Sequence, residues 1–112
     1  MQSLAWVQEF PAAVTVCDAE GVILAMNAKA AESFAVGGGA ELVGSNVLDC
    51  HPEPARAKLR DLLISGRANV YTIEKNGVRK LIYQSPWYVD GDYRGLVELS
   101  FEIPDAVPHF IR

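Results

Sequence analysis

Two β-branched, apolar runs, ANVYTIEK (68–75) and VRKLIYQS (78–85), meet across Asn76-Gly77. That dipeptide is the strongest short hairpin signal, because both central positions of a tight hairpin turn need a positive φ that Asn and Gly tolerate. A two-residue loop also sets the register, placing Ile73 opposite Lys80 and Tyr71 opposite Ile82. One face then carries Tyr71, Ile73, Lys80, Ile82 and Gln84, and the other Val70, Thr72, Glu74, Arg79, Leu81 and Tyr83. Glu74 falls across from Arg79, a favourable surface pair. The Arg79 face is therefore expected outward and the Lys80 face inward.

A third run, LVELSFEI (96–103), follows Asp90-Gly91. A two-residue turn there puts Val97, Leu99 and Phe101 on the Lys80 face. A three-residue turn over Val89-Asp90-Gly91 puts Glu98 and Ser100 there instead. The apolar version is expected, because a buried Glu98 needs a partner.

Upstream, AVTVCD (13–18) and VILAMN (22–27) flank AEG, the form of a hairpin turning on Gly21. Asn27 precedes AKAAESFA and suits the N-cap of a helix, since its side-chain oxygen accepts an orphan backbone N–H. Gly37 to Gly39 end that helix. Residues 54–65 form the clearest helix, with Ala55, Leu59, Leu62 and Leu63 on one face and Gly66 as the stop. Residues 3–9 predict a short helix before Pro11. The order is β-β-α-loop-α-β-β-β, and no strand–helix–strand unit demands a parallel sheet. The expected class is α+β, a five-stranded antiparallel sheet with helices packed on one face.

A chain of 112 residues, half of them apolar, supports one core and one domain. Its net charge of −4 and pI near 5.0 give no electrostatic reason to bind nucleic acid. No apolar run is long enough to span a bilayer, and MQSLAWVQEF lacks the basic and apolar blocks of a secretory signal. Cys17 and Cys50 are too few for a disulfide framework, so the expected compartment is cytoplasmic, with no membrane association.

Cys50-His51 is the one pair that invites a chemical reading. Zinc wants four ligands at paired spacings, and Cys17, Cys50, His51 and His109 show none. A thiol–imidazole dyad needs side-chain contact and an orienting third group, which sequence neighbours rarely achieve. The simpler reading is a helix start. Pro54 suits the first helical position, where its missing N–H costs nothing, and Asp49 and Glu53 lie near the positive end of the helix dipole.

CDAEGVILAMNAKAAESF, ELVGSNVLDCHPEPARAKL and YRGLVELSFEIP, in that order, resemble the opening, middle and last strand of PAS domains. The family's closing Asp-Ile-Thr reads Glu102-Ile103-Pro104 here, which departs from the usual link to an output helix. The resemblance implies a PAS domain over 11–104, an N-terminal flanking helix (1–10), and a tail or truncated linker (105–112). It further implies a cytoplasmic sensing module of a signalling or transcription-regulatory protein, with an effector domain or partner protein; it does not imply catalysis, and no enzyme activity is expected. A small molecule would sit between the inner sheet face and the helices, with Tyr71, Ile73, Lys80, Ile82, Gln84, Val97, Leu99 and Phe101 as pocket candidates. No cofactor is required. Some members hold haem through a histidine on the helical side, and His51 would take that role. The flavin-binding light-oxygen-voltage subgroup carries a reactive cysteine where this chain has Val47, so flavin is not expected.

Apolar residues on both sheet faces imply a cover on each side. The outer one, Leu81 and Tyr83 with Leu4, Trp6, Val7 and Phe10 of the N-terminal segment, is the expected homodimer interface. Large side chains such as Phe34, Tyr71 and Phe101 leave open the alternative of a filled core, which would make a ligand-free dimerisation module.

Overall fold

The protein's structure, a computed structural model, describes residues 5–34 and 37–112. Leu4, one of the expected interface residues, lies outside the described residues. The elements run α1 (Ala5–Gln8), β1 (Ala13–Asp18), β2 (Ile23–Met26), α2 (Ala28–Ser33), two 3₁₀ turns (Gly39–Leu42 and Val47–Cys50), α3 (Ala55–Ser65), β3 (Asn69–Lys75), β4 (Val78–Val89) and β5 (Asp92–Glu102). The strands form one antiparallel sheet in the order β2-β1-β5-β4-β3. The α+β class and the five-stranded sheet are as the sequence predicts.

Both two-residue turns form as expected. Asn76 and Gly77 have φ of 55° and 79°, and Asp90 and Gly91 have 51° and 84°. Across the first, Ile73 pairs with Lys80 and Tyr71 with Ile82. Glu74 and Arg79 stand opposite each other as a loose exposed ion pair at 3.9 Å.

The second hairpin departs from expectation. Its turn has two residues, yet Tyr88 pairs with Tyr93 while Trp87 pairs with Gly95, so Arg94 is an extra residue. A bulge of this kind shifts register by one and reverses which side chains face the core. Leu96, Glu98 and Ser100 consequently share the face of Pro86, Gln84 and Ile82. Val97, Leu99 and Phe101, expected in the pocket, lie on the opposite face, paired with Ser85, Tyr83 and Leu81.

Gly95 explains why the bulge sits there. Its φ is 149°, and a Cβ at this position would lie 2.1 Å from the Cys17 carbonyl oxygen. The Trp87 indole N–H donates to that same carbonyl at 3.0 Å.

Asn27 joins the two ends of the first half of the fold. Its Oδ1 accepts from Ala30 N, capping α2, and from Val14 N. Its Nδ2 donates to the Val7 and Ala12 carbonyls, and the side chain is buried. Asn46 does similar work at the second 3₁₀ turn, accepting from Leu48 N and donating to the Glu20 carbonyl beside the β1–β2 turn.

Helix α3 buries Leu59, Leu62 and Leu63 and ends on Gly66 in the left-handed region. Pro54 occupies the N-cap, not the first helical position as expected. The Glu53 carboxylate accepts from Ala57 N at 2.9 Å, so it satisfies one of the helix's orphan donors directly. Leu59 and Leu63 meet Cys17 and Leu96 in the core, with Val47 and Leu48 packed against them. The Tyr93 hydroxyl ties β5 to α3 by donating to the Leu63 carbonyl at 2.7 Å.

Candidate functional site

The bulge at Arg94 decides the chemistry of the interior. With β5 in the observed register, Glu98 stands between Thr15 of β1 and Gln84 of β4. These three line a partly open cavity of about 50 Å³. The remaining wall is largely apolar: Cys17, Ile23, Met26 and Leu96 from the sheet, Phe34 and Leu42 from the first half, and Val47, Cys50, His51 and Leu59 from the helical side. A more open cleft of about 380 Å³ lies alongside, between α3 and β3. It shares His51, Leu59 and Gln84 with the cavity and adds Ala55, Lys58, Leu62, Asn69, Val70 and Tyr71.

The polar groups form a short directed chain. Asn69 Nδ2 donates to Gln84 Oε1 at 2.8 Å, and Gln84 Nε2 donates to Glu98 Oε1 at 2.7 Å. Gln84 is buried and Glu98 partly so. Burial and then the Glu98 charge push the Tyr71 phenol above its ordinary pKa.

Of the expected pocket residues, Gln84 lines the cavity and Tyr71 the cleft. Ile73, Lys80 and Ile82 share the helix-covered face without lining either space. Ile82 is buried, Ile73 is exposed, and Lys80 lies across from Glu102 in a separate depression with Lys29, Ser33 and Ser100. Sequence reasoning missed Thr15, Cys17 and Leu96, and left Glu98 as the less favoured alternative. The signal available was Gly95, since a glycine inside a strand pattern marks a bulge.

His51 follows the second 3₁₀ turn as its C-cap, with Nδ1 2.7 Å from the Val47 carbonyl oxygen. A carbonyl can only accept, so Nδ1 carries the proton and a neutral ring keeps its lone pair on Nε2. That tautomer suits a metal-binding histidine. The cavity of about 50 Å³ is by itself far too small for a porphyrin, which would need the adjoining cleft that His51 also lines. Among the described residues, no three His, Cys, Asp or Glu side chains gather as a metal site.

The two thiols differ sharply. Cys17 is buried, and desolvation pushes its pKa up against a backbone hydrogen bond from Leu96, with Asp18 and Glu98 adding to the rise. Cys50 is exposed. A thiol-specific disulfide reagent at mildly alkaline pH should therefore label Cys50 in the native protein and reach Cys17 only after denaturation. Equal native rates at both would contradict this burial. Because the folded Cys17 pKa lies above its unfolded value, the contribution of its neutral form is intact at neutral pH and lost as pH rises through the alkaline range.

On the outer face, Val14, Val16, Leu81, Val97, Leu99 and Phe101 line up across β1, β5 and β4, each partly exposed, with Tyr83 exposed beside them. Trp6 and Phe10 pair edge-to-face at 5.7 Å yet remain 63% and 45% exposed, while Val7 is partly buried. No helix among the described residues is long and apolar enough to cross a membrane.

The family profile of the PAS fold matches residues 7–106, nearly the whole chain. The chain belongs to the PAS fold family. Among solved structures it is similar to a C-terminal domain from Streptococcus mutans, at 20% identity and a TM-score of 0.72, covering 90% of this chain and 82% of that one. It is also similar to the Aer2 receptor of Vibrio cholerae, described as a dual PAS-heme oxygen sensor, at 19% identity and a TM-score of 0.62, covering 83% and 95%. A sensory box sensor histidine kinase from Vibrio cholerae matches at 18% identity and a TM-score of 0.62, covering 91% and 89%. Identities this low establish the fold and leave ligand chemistry to the residues themselves. Among curated proteins, no sequence match was found.

Proposed function

We propose that this PAS domain is a cytoplasmic sensory module that takes a small molecule into the cavity between its sheet and its helical segments. In this reading it acts by binding, not by catalysis, and passes the change to an effector domain or partner protein. The observation that carries it is the Gln84–Glu98 pair inside an otherwise apolar wall. A pocket with few polar groups convergent on apolar surroundings is what small-molecule sites look like. The apolar outer face, partly exposed among the described residues, supports homodimerisation as the second element of the proposal.

One feature favours a second reading, a ligand-free dimerisation module. The cavity volume of about 50 Å³ holds only a few atoms unless the adjoining cleft is used as well. Native mass spectrometry of the purified chain separates the two. The sensor reading expects a dimer mass plus a small mass lost on denaturation, and a bare dimer favours the scaffold. A monomer at about 50 µM would count against a specific dimer. Leu99→Arg, which puts a charge on the apolar outer face, should shift the dimer to monomer without unfolding it.

A further inference from the structure

We infer that the cavity selects ligands carrying a nitrogen that donates to Glu98, a protonated amine or amidine on a small apolar body, and excludes carboxylates. This inference rests on the reading of the cavity as a ligand site. It starts from the direction of the hydrogen-bond chain. Asn69 donates to Gln84 and Gln84 donates to Glu98, so the chain ends on an acceptor. An ionised carboxylate offers about four acceptor directions, and the protein uses one of them here. Among the described residues, the ion pairs join Arg67 with Asp61 and Arg79 with Glu74, and no Lys or Arg pairs with Glu98.

The surroundings make that vacancy selective. Ile23, Met26, Leu59 and Leu96 offer no hydrogen bonds. A carboxylate against such a wall gains most from a charged donor, because a charge-assisted bond there is roughly twice as strong as a neutral one. An anionic ligand would set like charges together in the same low-dielectric space. The effect of Glu98 on neighbouring groups agrees in sign, since its charge raises both the Tyr71 phenol and the Cys17 thiol. The size of the site sets the rest of the ligand. The cavity suits the nitrogen head, and the cleft past His51, Leu59 and Gln84, which Lys58 and Asn69 also line, gives room for an apolar body against Leu62 and Tyr71.

Three matched probes, isobutylamine, isobutanol and isobutyrate, test this by amide chemical-shift titration of the whole chain at neutral pH. Isobutylamine should shift the amides of Gln84 and of Leu96 to Ser100, and should bind about tenfold more tightly than isobutanol, as charge-assisted pairing predicts. Isobutyrate should bind most weakly of the three. In Glu98→Gln, which keeps the shape and a partner for Gln84, the preference for the amine should disappear. If isobutanol or isobutyrate binds as well as the amine in the native chain, or the preference survives Glu98→Gln, the inference is overturned and the pocket reading stands. If no probe shifts these amides at about 50 mM, where fragments of this size register weak binding, the pocket reading falls together with it. The comparison within the native chain decides the question even if the variant folds poorly.

Discussion

Gly95→Ala should cost the domain at least about 3 kcal/mol, a large part of what a domain this size has to lose. Two separate penalties act at this position. The backbone sits at φ 149°, where side chains are rarely tolerated. The new Cβ would also meet main chain rather than a movable side chain, at 2.1 Å from the Cys17 oxygen and 2.7 Å from the Asp18 Cα. Relief requires β5 to pull away from β1 or the bulge at Arg94 to be lost. Either change disrupts the seating of Leu96 in the core and of Glu98 in the cavity. Gly91→Ala is the control: its φ of 84° is also unfavourable, but nothing lies within 4 Å of the added methyl. That variant should cost only about 1–2 kcal/mol, the usual penalty for a side chain in the left-handed region. Urea unfolding of both variants checks the contrast. Similar losses would mean that strand contact at Gly95 is not the limiting constraint.

Asn27→Ala should destabilise by about 3–5 kcal/mol, because one buried side chain serves four backbone groups. Two are donors, Val14 N and Ala30 N, and two are acceptors, the Val7 and Ala12 carbonyls. Alanine meets none of them, and loss of the cap on α2 alone accounts for about 1 kcal/mol. Amide exchange at Val14 and Ala30 should accelerate beyond the global change. A loss below about 1 kcal/mol would show that packing, and not these bonds, holds the segment before β1.

Local signals carried most of the fold. Asn76-Gly77 and Asp90-Gly91 each produced the tight turn their backbone preferences imply. Asn27 capped the helix it precedes, and Leu59, Leu62 and Leu63 point into the core at their helical spacing. These features depend on residues within a few positions of one another, so the sequence displays them directly. The start of α3 was legible in outline, though Pro54 and the Glu53 carboxylate divide the capping differently from expectation.

The candidate site was only half legible, and the reason is parity. Gln84 and Tyr71 could be placed because the first hairpin is regular from turn to end. Beyond the second turn, one unpaired residue exchanges Val97, Leu99 and Phe101 for Leu96, Glu98 and Ser100 on the inner face. Both sets contain enough apolar side chains to form a plausible core or surface, so hydrophobic alternation does not choose between them. The objection that a buried Glu98 needs a partner was sound, and Gln84 answers it from across the strand pair.

The amino-acid sequence by itself determined the class of fold, the order and turns of its strands, and the Asn27 cap, because each follows from short-range backbone preference and periodicity. Only the tertiary structure decided that Glu98 faces the interior and that Val97, Leu99 and Phe101 lie on the outer face. The bulge at Arg94 exists because Gly95 must pass within contact of the β1 backbone, and that proximity comes from residues nearly eighty positions apart meeting in the sheet.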